Sequence, residues 1–126
     1  MMKREVINLG AASRAPLSAG IKVGHMLYTS GQVPVNRETQ EVPGSIAEQT
    51  RQTLENLKDI LHAAGTDFDQ VIKVLVFLTD MADFEGMNEV YREYFPVAPP
   101  ARSTIGVAGL ARDEFKVEIE LIALVP

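Results

Sequence analysis

The sequence lacks cysteine, has only two histidines and contains no long apolar run, and each absence excludes a class of protein chemistry. Without thiols the chain can form no disulfide, no zinc–thiolate centre and no cysteine nucleophile. His25 and His62 do not have a metal-ligand spacing, and we expect structural roles for them at a strand end and near a helix C-terminus. No stretch approaches the roughly 20 apolar residues of a transmembrane helix. We therefore predict no metal, no other cofactor and no membrane span.

Positive charge is also scarce and scattered. The chain has 12 Lys and Arg residues against 17 Asp and Glu residues, which gives a net charge of -5 and a pI of about 5.0. A protein that binds nucleic acid concentrates its basic residues on one surface, so we expect no nucleic acid as the main partner. The N-terminal residues are basic but lead to no apolar segment. We therefore expect no signal peptide and a cytoplasmic location.

The pattern of apolar residues predicts six strands and two helices in the order βββαβαββ. A capping box, Ser45-Ile46-Ala47-Glu48, opens the first helix and Gly65 closes it. The second helix is predicted over residues 83–95, before Pro96. The 126 residues are 46% hydrophobic, which fits one globular domain, 1–126, that buries roughly two thirds of its unfolded-state surface. The expected fold class is α+β, with a single mixed β-sheet and both helices packed on one face.

The strand predicted over residues 71–79 is almost continuously apolar, interrupted only by Lys73. This composition is typical of a strand that is covered on both faces of its sheet. Two helices can cover only one face. We therefore predict that a second copy of the same chain covers the other face and that a site could lie between copies.

The last two predicted strands, joined by a polar connection around Ala111, are predicted to form an antiparallel hairpin. In that register Glu118 lies opposite Thr104 and Glu120 lies opposite Arg102, all on one face of the sheet. Two interpretations remain open. The charges could form an exposed ion pair worth about 0–1 kcal/mol. Alternatively, the guanidinium could bind a carboxylate ligand while a nearby glutamate serves as acid or base.

Several short segments together resemble the Rid (YjgF-like) family, the reactive-intermediate or enamine/imine deaminases, over about residues 15 to 124. They are Ala15-Pro16 with Gly20, Thr29-Ser30-Gly31-Gln32-Val33-Pro34-Val35, Thr53-Leu54-Glu55-Asn56-Leu57, Ala63-Ala64-Gly65, Val76-Phe77-Leu78 with Asp80, Met87-Asn88-Glu89-Val90-Tyr91, Pro100-Ala101-Arg102-Ser103, Gly109-Leu110 and Val117-Glu118-Ile119. Each segment alone is a weak signal, whereas the set is specific.

The resemblance implies a chorismate-mutase-like fold and a homotrimer with its sites between subunits. It also implies hydrolysis of 2-imino or 2-enamino acids, such as 2-iminopropanoate or 2-iminobutanoate, to 2-keto acids and ammonia. On this resemblance Arg102 binds the substrate carboxylate and Glu118 positions water at the imine carbon. Ser30 and Gly31 handle the leaving nitrogen, and Asn88 lines the pocket. Because Asn88 lies in a helix, a bond to nearby backbone is an alternative role for it.

Two positions depart from the family pattern. Leu17 stands where deaminating members commonly have a pocket tyrosine, and Thr104 stands where a cysteine is frequent. Leu17 lacks a phenol that could bond substrate or water, while Thr104 retains a hydroxyl of similar size. Both are candidate substrate-binding residues, and the two departures leave the substrate open.

The sequence leaves other functions open. One is a non-catalytic keto acid-binding or regulatory module that uses the same pocket, or a chaperone-like surface. Another is ribonuclease activity, which is linked to some relatives and which the acidic composition disfavours. A specialised deaminase for 2-aminomuconate or an aminoacrylate is a third. Loss of turnover without loss of binding in Glu118→Ala would distinguish an enzyme from a binding module.

Overall fold

The computed structural model of the chain describes residues 2–10 and 15–126 and has the predicted order of elements. The strands are β1 (Arg4–Ile7), β2 (Gly20–Val23), β3 (Met26–Thr29), β4 (Val71–Leu78), β5 (Ala101–Gly106) and β6 (Val117–Leu124). The helices are α1 (Ile46–Ala63) and α2 (Phe84–Tyr94), and short 3-10 turns at Phe68–Gln70 and Met81–Asp83 precede β4 and α2. The predicted α+β class, a single mixed sheet with two helices on one face, is confirmed.

The ends of α1 follow the predicted capping signals. The Ser45 hydroxyl accepts a hydrogen bond from the backbone N–H of Glu48 at 3.1 Å, which satisfies a donor that the first turn leaves unpaired. Gly65, just past the helix, has a φ of 86°, a left-handed conformation that favours glycine. The buried stripe of α1 packs on the sheet, and its members with no exposed surface include Thr50, Thr53, Leu54, Leu57, Ile60 and Leu61.

The predicted hairpin between the last two strands is wrong. The sheet order is β1-β2-β3-β6-β4-β5, so β4 lies between β5 and β6. β5 pairs with β4 in parallel, with α2 as the crossover that a parallel pair requires, and β6 pairs with β4 in antiparallel orientation. The reason is physical. The most apolar strand gains most from a central position, and the connection over residues 107–116 is much longer than a tight hairpin loop.

The register of β4 decides which side chains share a face. Val74 pairs with Arg102, whereas Phe77 pairs with Glu118, and these positions differ by an odd number of residues. Since side chains alternate along a strand, Arg102 lies on the face that carries the helices and Glu118 lies on the other. The predicted grouping of Arg102, Thr104, Glu118 and Glu120 on one face is therefore wrong.

The face turned away from the helices, called the open face here, is only partly covered within the described part of one chain. It carries Tyr28, Lys73, Leu75, Phe77, Ser103, Ile105, Glu118, Glu120, Ile122 and Leu124. Tyr28, Ile105 and Leu124 are 45%, 44% and 40% exposed, while the helix-facing Val74, Val76 and Leu78 are fully buried. The strand predicted to be buried on both faces is thus buried on one and half-buried on the other.

Two buried side-chain amides of α1 form hydrogen bonds with the loops that border the sheet. Gln49 donates to the carbonyls of Pro43 and Glu114 at 2.9 and 2.8 Å and accepts from the N–H of Lys116 at 2.8 Å, which fixes the approach to β6. Asn56 donates to the carbonyls of residues 33 and 35 at 3.0 and 2.9 Å. These bonds hold the segment that follows β3. The predicted loop over residues 10–16 lies partly outside the described residues, and neither described helix could cross a bilayer.

Candidate functional site

Arg102 lies on the helix face of β5, where two aromatic rings of α2 hold its guanidinium. The guanidinium carbon is 4.7 Å from the ring centroid of Tyr91 and 5.6 Å from that of Phe84. Over residues 2–10 and 15–126, Arg102 forms no ion pair with a carboxylate. A cation that rests on aromatic faces keeps its N–H donors available, and the planar fork of arginine suits a carboxylate ligand.

A cavity of about 310 Å³, called the arginine pocket, opens beside this guanidinium. Its walls are Asn88, Tyr91, Arg92, Phe95, Pro99, Pro100 and Arg102. Asn88 is 9% exposed, and its side-chain amide makes no hydrogen bond to the described part of the chain, so the backbone bond considered for it is not present there. Asn88 and Arg102 are therefore brought together with their donors unused.

Tyr91 is a member of this pocket that was not among the site residues predicted from the sequence. Its hydroxyl is buried and has no hydrogen-bond partner among the described residues. Burial raises the pKa of the Tyr91 hydroxyl to about 12, although the Arg102 guanidinium opposes the rise. The phenol is therefore neutral at physiological pH. The signal available in the sequence was its position, one turn beyond Asn88 on the same helix.

Glu118 lies on the open face against Gly31. A Cβ atom at Gly31 would collide with the Glu118 carboxylate, so any other residue there would displace it. The segment is fixed by reciprocal bonds, in which Gln32 donates to the carbonyl of Ile119 at 2.8 Å and accepts from its N–H at 3.1 Å. Burial, and then the charge of Glu120, raise the pKa of Glu118 above its ordinary value of 4.5. Such a carboxyl group is suited to proton transfer.

Ser30 and Leu17 lie near Gly31. The Ser30 hydroxyl donates to the carbonyl of Ser18 at 2.6 Å, which leaves its oxygen free to accept a hydrogen bond. Leu17 is 52% exposed and, with Gly31, lines a second cavity of about 630 Å³. Further walls of this cavity are Asn8, Leu9, Ala19, Gln32, Val33, Val35, Arg37, Gln40 and Asn56.

Thr104 follows Arg102 by two residues and lies on the same face. Its hydroxyl is buried, has no hydrogen-bond partner among the described residues, and lines neither the arginine pocket nor the Leu17 cavity. Thr104 thus differs from Asn88, which lines the arginine pocket directly.

The predicted site residues fall into two groups on opposite faces of one sheet. Arg102 and Asn88 meet in the arginine pocket, while Ser30, Gly31 and Glu118 gather at the start of the segment after β3. Across the described ranges, no group of three or more His, Asp or Glu side chains is arranged to hold a metal ion. The chain therefore presents an arginine without a carboxylate partner among the described residues on one face and a carboxyl group with a raised pKa on the other.

Comparison with known proteins identifies the class. Residues 9–125 match the family described as Endoribonuclease L-PSP, and the chain belongs to this family, the YjgF/Rid proteins. A RutC family protein of Pyrococcus horikoshii is 51% identical over 109 residues, which cover 86% of each chain. TdcF of Escherichia coli, described by name as a candidate reactive intermediate deaminase, is 44% identical over 112 residues, again 86% of each chain.

Solved structures agree with this membership. The E. coli YjgF gene product has a TM-score of 0.91 at 39% identity, covering 97% of this chain and 99% of that one. E. coli TdcF with bound serine has a TM-score of 0.89 at 39% identity, covering 95% of this chain and 98% of that one. The predicted family is confirmed, and a deaminase role is supported at the level of the family.

Proposed function

We propose that the protein hydrolyses small 2-imino acids, and the 2-enamino acids in equilibrium with them, to 2-keto acids and ammonia. The observation that carries the proposal is the arginine pocket, where a guanidinium with no acidic partner among the described residues lies beside an unused amide. This is the chemistry that recognises a carboxylate. The cavity of about 310 Å³ suits a substrate of three or four carbons. A related protein, TdcF, has been solved with serine, a molecule of that size.

The reaction needs an anion anchor, an oriented water molecule and one proton relay. Arg102 binds the carboxylate through two N–H donors. The substrate reacts as its protonated imine. Glu118 takes a proton from water as the water oxygen bonds to the imine carbon, and it gives this proton to the amino nitrogen of the resulting carbinolamine. The C–N bond then breaks, ammonia leaves, and the proton of the remaining hydroxyl passes to solvent water to give the keto acid. The imine carbon is already electrophilic, so orientation and proton transfer supply most of the acceleration.

Ser30 and Gly31 would act on the nitrogen. The Ser30 oxygen, whose own proton is donated to Ser18, can accept a hydrogen bond from the protonated leaving group. Gly31 allows Glu118 to come close to the backbone there, since a larger residue would displace the carboxylate. Leu17 would contribute an apolar contact near the substrate side chain, where many relatives carry a phenol.

The complete site would form between two copies of the chain, within a homotrimer of the kind that the resemblance implies. Arg102 and Glu118 lie on opposite faces of one sheet, so one chain cannot direct both at a single small substrate. The open face carries large apolar side chains that are about 40–45% exposed, which favours its burial against another copy.

A trapping assay tests the proposal. 2-Iminopropanoate generated by an amino-acid oxidase is trapped with semicarbazide, and its loss and the release of ammonia are followed with and without the protein. Wild type should accelerate imine loss, and Arg102→Ala and Glu118→Ala should not. Arg112→Ala and Glu89→Ala serve as matched controls, because both residues are exposed and line neither cavity. No acceleration by wild type would reject this substrate class.

The second candidate is a module that binds keto acids without turnover. It is favoured by one observation, that the arginine pocket is formed by a single chain without Glu118. Calorimetry with 2-oxobutanoate separates the two functions. Binding by wild type that requires Arg102, combined with no imine hydrolysis, would establish the module and reject the enzyme.

A further inference from the structure

Arg102 is oriented differently from the other arginines whose partners are defined. Arg51 is held by Glu93 at 2.8 Å, Arg112 is paired with Glu114, and Arg37 donates to the carbonyl of Asn56 at 2.7 Å. Arg102 has no carboxylate partner within residues 2–10 and 15–126, and its guanidinium carbon lies over the ring of Tyr91, 4.7 Å from the centroid. Its orientation within the chain therefore depends on an aromatic surface.

The Tyr91 ring is itself buried and packed against a second ring. Tyr91 is 5% exposed, and its ring packs on that of Phe95 with the centroids 4.6 Å apart. Phe95 in turn contacts Phe68 edge to face at 5.3 Å. A ring fixed in this way gives the guanidinium a defined plane, whereas a free arginine side chain samples many rotamers and loses that freedom when it binds a ligand.

We infer that Tyr91 is a positioning residue for carboxylate binding, because its ring holds the Arg102 guanidinium in the orientation that receives the ligand. This inference rests on the proposed function of the arginine pocket. Preorganisation of this kind improves affinity, because the arginine side chain loses less conformational entropy when the ligand binds. We assign the role to the ring, because the guanidinium carbon lies over it, 4.7 Å from the ring centroid.

The protonation state of Tyr91 is consistent with this role. A phenolate next to Arg102 would neutralise the guanidinium and compete with a ligand carboxylate. Burial raises the pKa of Tyr91 to about 12, so the phenol stays neutral over the physiological range. The ring can therefore attract the cation without occupying its hydrogen-bond donors.

The test compares Tyr91→Phe, which keeps the ring, with Tyr91→Leu, which removes it. The dissociation constant of 2-oxobutanoate, a stable keto acid, is measured by calorimetry. Tyr91→Leu should weaken binding about tenfold, and Tyr91→Phe should bind within about twofold of wild type. In the imine assay Tyr91→Leu should raise KM by a similar factor and change kcat little. Leu61→Ala controls for lost stability, because Leu61 is fully buried and lines neither cavity.

A spectroscopic readout tests the geometry directly. The Nε–H proton of Arg102, placed over an aromatic ring, should resonate upfield in wild type, Tyr91→Phe and Leu61→Ala, and should return toward the ordinary shift in Tyr91→Leu. Unchanged affinity in Tyr91→Leu would overturn the inference. An equal loss in Tyr91→Phe would overturn it too, because the hydroxyl would then carry the role.

The outcomes also separate this inference from the proposed function. Keto acid binding that depends on the ring, without imine hydrolysis, would support the positioning role and reject the hydrolase. Imine hydrolysis that is indifferent to the Tyr91 ring would support the hydrolase and reject the positioning role. Wild type that binds no keto acid would overturn the positioning role.

Discussion

The buried polar groups of α1 and those around Arg102 are used in opposite ways. The side-chain amides of Gln49 and Asn56 form hydrogen bonds with backbone groups of neighbouring loops. Asn88 and the Tyr91 hydroxyl are also buried, yet they make no side-chain hydrogen bond within the described ranges, and Arg102 has no acidic partner there.

This difference separates polar groups that stabilise the fold from polar groups that are available to bind a ligand. A buried polar group costs free energy unless it is hydrogen-bonded, so folds normally satisfy such groups. The amides of α1 are satisfied and fix loop positions. The unused donors of the arginine pocket are consistent with partners supplied by a ligand or by another copy of the chain. Replacing an amide of α1 should therefore reduce mainly stability. Replacing a residue of the arginine pocket should reduce mainly ligand binding and activity.

The largest expected effect is on catalysis, at Glu118. Glu118→Gln should lower kcat by about 100-fold to 10,000-fold, because the proton relay is lost while size and polarity are kept. The dissociation constant of 2-oxobutanoate should change by less than about threefold, since Arg102 is the main anchor. Rate and affinity measured on the same preparations decide the point. A kcat near that of wild type would remove Glu118 from the mechanism.

The next effect is on binding, at Arg102. Arg102→Ala should weaken 2-oxobutanoate binding by roughly 10-fold to 100-fold, the range expected for a charge-assisted hydrogen-bonding group. The free energy of unfolding should change by no more than about 1 kcal/mol, because no ion pair with a described residue is broken. Calorimetry and urea unfolding measure the two quantities. A large loss of stability with normal binding would assign Arg102 to the structural group.

Gln49→Ala should reduce stability, in contrast to Arg102→Ala, which should reduce mainly ligand binding. It removes three hydrogen bonds and leaves two carbonyls and one N–H without their partner, so we expect a loss of about 2–4 kcal/mol in the free energy of unfolding. Asn88→Ala is the matched amide and should cost less than about 1 kcal/mol while weakening keto acid binding. Equal losses of stability in the two variants would contradict the distinction between structural and ligand-binding amides.

Stability should also depend on pH through Glu118. The folded chain holds this proton more tightly than the unfolded chain, because the pKa of Glu118 is raised above 4.5. The free energy of unfolding due to this group is therefore greatest at low pH and falls as the pH rises through the raised pKa. The unfolding free energy of wild type minus that of Glu118→Gln, followed upward from pH 4.5, should therefore decline. A rise would contradict the assigned shift.

The smallest expected effect is at Thr53, a buried polar residue outside both cavities. The Thr53 hydroxyl is also buried without a partner among the described residues, but it lines neither cavity. Thr53→Val should be neutral or stabilise the fold by up to about 1 kcal/mol, without altering binding. Thr66→Val is the control and should lose about 1 kcal/mol, since the Thr66 hydroxyl donates to the carbonyl of Leu124 at 2.6 Å. Loss of keto acid binding in Thr53→Val would contradict this account.

Local signals in the sequence were enough to predict most of the fold. Ser45 and Gly65 mark the ends of α1 because capping depends on a few neighbouring residues. The pairing of the last strands was not predictable in this way. Local alternation places Glu118 and Arg102 on strands but does not say which strand lies between them, and β4 was that strand.

The resemblance supplied candidate site residues, but their arrangement in space was not predictable. The resemblance selected Arg102, Asn88, Gly31 and Glu118, and the structure places them in two groups on opposite faces. Tyr91 was missed as a site residue because a tyrosine on the apolar stripe of a helix is usually part of the core. Its contact with Arg102 depends on how α2 packs against β5, which sequence spacing does not specify.

The central claim is that Arg102 and Glu118 of different chains share one substrate, and subunit complementation tests it most directly. Arg102→Ala and Glu118→Ala are each unfolded, mixed in equal amounts, refolded together and assayed for 2-iminopropanoate hydrolysis. If each site takes its arginine from one chain and its glutamate from the next, random mixing should restore about a quarter of wild-type activity. Activity in the mixture no greater than in either variant alone, with mixed oligomers verified, would contradict the claim.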